Sequence, residues 1–540
     1  MAATGEPAIE AAGTGETSSA YAKYVLGVLV IVYVINFIDR QILSILAEEI
    51  KADLGISDSQ IGFLYGTAFA VFYAVFGVPL GRLADVWIRT RIIAIGLAFW
   101  SVMTALSGFA RSFGVLAICR FGVGVGEAAA SPAANSLLFD YFPPKMRATA
   151  LAIYSSGIYI GAGIGIFLGG AIVDGWNGMF PDPAAAPLGL SGWHVAFLAV
   201  GAPGLLIALW AGSLREPERG RYDGIKSKVE TRPLRAIWRE LVTILPPFTV
   251  FGLRMAGGTQ RELTLNLVAA AGFALGAYLL TLLLGSALQW FVLAIGLYAF
   301  FSWSQSLALR DKPTFRLIFR SRAFLGTVIG FACISFVTYG TGFWAVPYLI
   351  RAHGVSASEV GLYAGLGAAI GGFIGVSLGG ILADMLMHRI RAARHVVGMV
   401  AFALALPVGI GILYADTMPL AYTLMFLFSV FSPMWIGPAT AATLDLVLPR
   451  MRAVANAISI FMNTLIGLAL GPYAIGRISD GFIAGGMAPA DSLRYAMMLG
   501  MIMLVLAIAI LVFAVRHLDG DMARKNGRAL EAGEPIQAPA

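Results

Sequence analysis

Thirteen mostly apolar residues into the first long hydrophobic run, the chain reads Asn36-Phe-Ile-Asp39-Arg40-Gln41, and the apolar character resumes with Ile42, Leu43, Ile45 and Leu46. In a helix Asn36 lies three residues before Asp39 and four before Arg40, so the three share a face. A second ionisable set, Arg120-Phe-Gly-Val-Gly-Val-Gly-Glu127, occupies another apolar run. Seven residues are about two helical turns, so Arg120 and Glu127 project from one face roughly 10 Å apart along the axis. The glycines between them let a neighbouring helix pack close. Charge inside an apolar span is costly and by default marks a solute pathway or a proton relay. Burial disfavours an ionised carboxylate and a nearby guanidinium favours it, so a small rearrangement loads or releases a proton. Asp39 and Glu127 are therefore the candidate proton carriers, with Asn36, Arg40 and Arg120 as candidate substrate ligands. A plainer reading stays open for each: Arg40 snorkels outward from a helix end, and Arg120 pairs with Glu127 only to brace its helix.

The elements that carry these groups have lipid as their solvent. Of 540 residues, 59% are hydrophobic and 12% charged, against near half and about a quarter in soluble domains, and a wetted exterior could not hide that much apolar surface. The net charge of +7 is scattered through short connectors, a topology signal rather than a nucleic-acid face. Cys119 and Cys333 make neither a disulfide framework nor a zinc site, and the five histidines have no metal-ligand spacing. With no catalytic set at membrane depth and no phosphate-cradling Gly-Lys-Ser/Thr loop, an enzyme or a primary pump is not expected. Nor is a cofactor or a metal.

A bilayer core of about 30 Å needs about 20 apolar residues per helix. Fourteen such runs are present, the first at 23–46, the last at 492–516, with an extra pair at 263–284 and 287–309. One alternate set of connectors holds Arg82, Arg89 and Arg91, then Lys145 and Arg147, then Arg389, Arg391 and Arg394, then Arg450 and Arg452; the other holds only Lys51, Arg111, Arg351, Arg477 and Arg494. The richer set is expected in the cytoplasm together with both termini, in the cell membrane. Three echoes reveal an internal repeat: Gly55-Ile-Ser-Asp-Ser-Gln-Ile-Gly62 in Gly354-Val-Ser-Ala-Ser-Glu-Val-Gly361, Gly81-Arg-Leu-Ala-Asp85 in Gly380-Ile-Leu-Ala-Asp384, and Met146-Arg-Ala-Thr-Ala-Leu-Ala-Ile153 in Met451-Arg-Ala-Val-Ala-Asn-Ala-Ile458. Matched loops fall on one side of the membrane, so the copies run parallel. The expected fold is an all-α polytopic membrane protein of two six-helix bundles plus an inserted hairpin. Its parts are a disordered tail (1–22) with no basic start of a signal peptide, a bundle (23–214), a basic connector with the hairpin (215–321), a second bundle (322–516) and a cytoplasmic tail (517–540).

Gly81-Arg-Leu-Ala-Asp85, followed by Arg89 and Arg91, resembles the signature between helices two and three of the major facilitator superfamily, and Asp384 with Arg389 and Arg391 resembles its second-half echo. The resemblance implies that Asp85, Arg89, Arg91, Asp384 and Arg389 latch the bundles on the cytoplasmic side, although Val86, Trp87 and Ile88 stand where a Gly and a basic residue are usual. Within that superfamily the first half is similar to the Spinster-like branch, through Asn36 to Arg40, Arg120 through Glu127 to Ala133, Asp140-Tyr-Phe-Pro-Pro144 and Val200-Gly-Ala-Pro203-Gly-Leu-Leu206. Eukaryotic members export sphingosine phosphate or lysophospholipids, and bacterial ones are regarded as proton-coupled. Anion:cation symporters share a similar Asp-Arg and Gly-Glu, which keeps an organic-acid symporter as the alternative.

Tyr65, Tyr154, Tyr339, Trp344 and Asn463 add polar or aromatic groups within spans and are the further cavity candidates. A cavity with its charges in one half suits an amphiphile, its headgroup toward Arg40, Arg120 and Glu127 and its tail toward the apolar half. The expected function is proton-coupled secondary transport of a small amphiphilic or lipid-like solute by alternating access; a non-transporting sensor is the remoter possibility. The partners are the solute, protons and membrane lipid, with no nucleic acid. A monomer is expected. The hairpin has no charge between Leu263 and Leu309, so it is expected to face lipid, outside the transport cycle, as the element that would mediate self-association or, with the basic connector, touch anionic lipid.

Overall fold

The computed structural model describes residues 20–220, 222 and 233–533. Most of the expected N-terminal tail, part of the basic connector and the last residues of the C-terminal tail lie outside the described residues.

Among the described residues, fourteen helices are long and apolar enough to cross a membrane: α1 Ala20–Leu54, α2 Asp58–Val86, α3 Arg89–Ser107, α4 Phe113–Tyr141, α5 Pro144–Met179, α6 Gly192–Gly212, α7 Gln260–Leu284, α8 Ala287–Arg310, α9 Arg322–His353, α10 Ala357–Met387, α11 Ala393–Leu413, α12 Met418–Asp445, α13 Pro449–Ala484 and α14 Pro489–Glu531. No strand occurs among the described residues. An even number of crossings puts both ends of the chain on one face, called here the terminal face. Several helices outrun their apolar stretch because polar side chains cap or pair their ends. Ser57 and Gln60 form a reciprocal capping box at the start of α2. Residues 517–531, expected as a tail, continue α14, because Asp521 accepts from Ser321 Oγ and from Ala323 N, each at 2.9 Å, and ties the extension to the start of α9.

Helices α1–α6 and α9–α14 form two bundles in parallel repeat. Between them α2 packs on α13, and α5 packs on α10. Under the repeat α2 corresponds to α10 and α5 to α13, so one interface is built twice. Close approach requires glycine there: a Cβ on Gly62 of α2 would lie 2.5 Å from the Pro472 carbonyl oxygen of α13. The second half carries a wide helical turn on each of its seam helices, Gly367–Gly371 in α10 and Asn463–Ala469 in α13. Such π-type turns recur at functional positions.

The inserted hairpin, α7 with α8, is only half as peripheral as its sequence predicts. Helix α7 faces outward along most of its length, but α8 lies against both α2 and α13 and spans the seam. Gly296 sits 3.1 Å, at the position of a would-be Cβ, from side-chain atoms of both Val71 and Leu465. Phe300 stacks on Phe461 with ring centroids 5.0 Å apart, and Trp290 meets Tyr473 edge-on at 5.6 Å. Charge counting overlooks what holds this hairpin together. Asn266 Oδ1 accepts from Tyr298 Oη at 2.7 Å and from Thr249 Oγ1 at 3.3 Å, and its amide donates to Gln305 Oε1 at 2.8 Å. That buried network pins the short helix Thr249–Met255 of the connector to both hairpin helices.

Candidate functional site

Helix α1 brings Asn36, Asp39 and Arg40 to the middle of the first bundle, α4 brings Arg120 and Glu127, and α3 brings Thr104. The helices approach closely because Gly126 of α4 lies against Trp100 and Gly96 of α3, where a Cβ would stand 2.8 Å from Trp100 Cβ. Asp39, Arg120 and Glu127 are each 1% exposed.

The ion pairs cross between helices. Arg120 Nη1 donates to Asp39 Oδ1 at 3.2 Å, and Arg40 Nε donates to Glu127 Oε2 at 2.6 Å. Arg120 does not brace its own helix through Glu127, and Arg40 does not snorkel. The Arg40 guanidinium lies over Phe69 at 4.5 Å and over Tyr73 at 4.6 Å, so aromatic faces replace part of its hydration. Thr104 Oγ1 donates to the second Asp39 oxygen. Two carboxylates and two guanidiniums balance in apolar surroundings. Three polar atoms of the cluster, Asn36 Oδ1, Arg120 Nε and Glu127 Oε1, are buried and have no hydrogen-bond partner among the described residues. Such groups are costly to leave unpaired, and here they are open to a ligand or a proton.

A small cavity adjoins the cluster, lined by Arg40, Arg120, Phe69 and Tyr65 from the first half and by Tyr339 and Leu468 from the second. At about 20 Å³ it has room for about one water and not for an organic solute. Tyr65 donates to Gln41 Oε1 at 3.2 Å. Tyr154 is buried and stacks on Tyr33, ring centroids 4.3 Å apart. Asn463 begins the wide turn of α13 with Oδ1 buried and unpartnered among the described residues. Trp344 is not brought to the cavity: its indole donates to the Pro472 carbonyl at 2.8 Å inside the second half. Thr104 is the contributor that sequence reasoning misses, because a lone threonine in an apolar run carries no signal until its partner is known.

The five gating candidates do not join the halves in this structure. Asp85 is exposed beside Arg82 at 3.6 Å, and Arg91, Asp384 and Arg389 are exposed on the terminal face. Arg89 is buried in its own bundle, with Asp140 at 2.5 Å and Glu216 at 2.7 Å. Helix α2 ends at Val86 and α3 begins at Arg89, so the intervening turn aims Arg89 inward, away from Asp85.

At the opposite face the halves are joined. Arg351 of α9 donates to both oxygens of the fully buried Asp58, at 2.6 and 2.9 Å, and to Glu48 at 2.7 Å. Lys51 also pairs with Asp58. Asp480 of α13 accepts from the backbone N–H groups of Asp58 and Ser59, both at 2.9 Å, and Asp174 of α5 accepts from Ser358 N at 2.7 Å. Each half thus caps the second or corresponding helix of the other. The Asp-Gly pairs at 174–175 and 480–481 were the available sequence signal.

Residues 29–472 match the Major Facilitator Superfamily. The chain belongs to that superfamily. It is 27% identical to an MFS-type efflux pump of Mycolicibacterium smegmatis over 84% of each chain. It is 26% identical to a Bacillus subtilis protein named "Probable galactarate/D-glucarate transporter GudP", covering 73% of this chain and 70% of that one. Protein spinster homolog 1 of Xenopus laevis is 26% identical over 89% of this chain and 79% of its own. Among solved structures, a bacterial homolog to the human lysosomal transporter Spinster, in an inward-facing and unoccupied conformation, superposes with a TM-score of 0.68 at 27% identity, covering 94% of this chain and 99% of that one. The protein is thus a Spinster-like, multi-pass superfamily transporter that moves small molecules across a membrane, and it is not an enzyme.

Proposed function

We propose that the protein is a proton-coupled secondary transporter of a small amphiphile with an anionic headgroup, working by alternating access. The observation that carries this reading is the neutral quartet in which Arg120 holds Asp39 and Arg40 holds Glu127, both pairs between α1 and α4. An anionic headgroup that takes a guanidinium leaves a buried carboxylate uncompensated, and a proton then neutralises it. By linkage each ligand strengthens binding of the other. The cavity admits no organic solute while the halves are closed as here; once they part, its aromatic and aliphatic groups, Phe69, Tyr339 and Leu468, are the surfaces that suit a hydrocarbon tail. Arg351, Asp58 and Asp480 join the halves at the opposite face, so solute reaches the quartet as the halves part at the terminal face; the positive-inside bias of the connectors supports a cytoplasmic terminal face. Likeness to a Spinster homolog and to an efflux pump supports the reading.

The second reading, a proton symporter for organic acids, has its own support in the relative named for galactarate and D-glucarate. Both use the same quartet and differ in the tail.

Reconstituted vesicles test the proposal. Asp39→Asn is expected to fold and to bind lysophosphatidate, but to lose accumulation driven by an imposed pH gradient, because an amide releases no proton. Arg120→Ala is expected to weaken binding at least tenfold. Gradient-driven accumulation by Asp39→Asn would refute the proton role. Flux of D-glucarate without flux of lysophosphatidate would select the second reading, and binding without flux would make the protein a sensor.

A further inference from the structure

The repeat places a second arginine site at the terminal face of the C-terminal bundle, and one group is missing from it. In the first half Arg89 donates from Nη1 to Asp140 and to the Ser136 carbonyl oxygen, the latter at 2.9 Å, and from Nε to Glu216 at 2.7 Å. Residues 305 positions on reproduce the first two contacts. Arg394 Nη1 donates to Asp445 and, at 3.1 Å, to the Ala441 carbonyl oxygen. The third is not reproduced. Position 521, the counterpart of Glu216, is an aspartate one methylene shorter, and it turns instead to Ser321 Oγ, Ala323 N and Arg528, the last at 2.6 Å. Arg394 Nε is left buried and without a hydrogen-bond partner among the described residues.

Beside this guanidinium is a cavity of about 300 Å³, lined by Arg391, Arg394, His395, Asp445, Asp519 and Ala523 among others, large enough for a phosphate or carboxylate group with its substituent. Arg391 is 84% exposed and meets Asp519 only at 3.4 Å, a loose surface pair that a stronger ligand displaces at little cost. Lys525 Nζ sits at the Asp445 carbonyl oxygen, 3.1 Å away. Two cations, Arg391 and Arg394, therefore line the cavity with two carboxylates, Asp445 and Asp519, and a buried donor is unsatisfied, while Lys525 adds a third positive charge outside the lining.

We propose that this cavity is an anion-binding site in which one phosphate-type oxygen takes the place that the Glu216 carboxylate fills in the first half. The ligand chemistry is a phosphomonoester or inorganic phosphate, held by the Nε edge of Arg394 and by Arg391, planar donors suited to such oxygens. The site lies where α10, α11, α12 and the extension of α14 meet, remote from the quartet of the first half, and does not depend on what that quartet transports. A bound anion would clamp the α14 extension onto the bundle, as Glu216 clamps the end of the first.

The test is thermal unfolding of the full chain in a neutral detergent, titrated with inorganic phosphate, with dioctanoyl phosphatidic acid and with dioctanoyl phosphatidylcholine as control. A saturable rise in melting temperature with either phosphomonoester and none with the control is expected; response to inorganic phosphate identifies a free anion, and response to the phosphatidic acid alone identifies a lipid headgroup. Arg394→Gln should weaken the apparent affinity at least tenfold. Because that variant also loses its Asp445 pair, Ala523→Glu provides an independent arm: a carboxylate built into the cavity should raise the basal melting temperature and abolish the phosphate response. No response in the unaltered protein, or a response unchanged in Ala523→Glu, would overturn the assignment.

Discussion

At the scale of single residues, the quartet trades solvation for pairing. Removing one member of a buried ion pair leaves the other charge in apolar surroundings and costs about 3–5 kcal/mol, whereas replacing both members is often close to neutral. Glu127 has a side chain with no exposed surface and Arg40 one only 16% exposed, so the rule applies. Arg40→Met and Glu127→Gln are each expected to lower the melting temperature in detergent clearly. The double variant is expected to recover most of the loss while abolishing transport. Equal and additive losses would show that the two side chains do not act as a pair. The identities of Asp39, Arg40, Arg120 and Glu127 were legible in the sequence because ionisable residues stand out in apolar runs. Their pairing was not, because helical spacing relates Arg120 to Glu127 and says nothing of which side chain on α1 faces them.

At the scale of elements, the opposite-face closure rests on helix ends. An aspartate from one half accepts from the first backbone N–H groups of a helix in the other, at Asp480 with α2 and at Asp174 with α10, where the helix dipole also favours negative charge. The echo of Gly55–Gly62 in Gly354–Gly361 made the two matching helix starts visible from sequence, whereas the capping box of Ser57 with Gln60 emerged only from the structure. That partners come from the far bundle is a tertiary fact with no local pattern. Asp480→Asn keeps size and one acceptor but loses the charge on two hydrogen bonds. Losing about 1.5 kcal/mol, the lower end for one charged hydrogen bond, shifts the balance between closed and open roughly tenfold. Spin labels at Ala52→Cys and Ser356→Cys, with Cys119 and Cys333 replaced by Ala, should report a longer-distance population in Asp480→Asn and in Asp174→Asn. Distances identical to the parent in both would show that these caps do not hold the face shut.

At the scale of the whole molecule, the two halves were readable as a repeat because three loops keep their order across the chain, and the hairpin was readable as two extra spans. Where that hairpin sits was not, since apolar residues that face lipid and apolar residues that face another helix have the same composition. In the fold α8 touches Val71 of one half and Leu465, Phe461 and Tyr473 of the other, so any rocking of the bundles about their interface must slide this contact. The hairpin therefore loads the conformation seen here without entering the charge quartet, and its removal should change rates rather than abolish transport. The excision has to spare the helix Lys312–Phe319, because Leu317 and Ile318 are buried in the second bundle's core and Asp311 caps that helix while receiving Arg450 at 2.8 Å. Replacing 245–310 with a flexible linker meets that requirement, since both cut ends lie on the terminal face. The shortened protein is expected to fold, to keep pH-driven flux in vesicles, and to show a broader spin-label distance distribution between Ala52→Cys and Ser356→Cys than the intact chain. A well-folded excision variant that carries no flux would place α8 in the transport pathway, and one with an unchanged distance distribution would show that the strap across α2 and α13 bears no load.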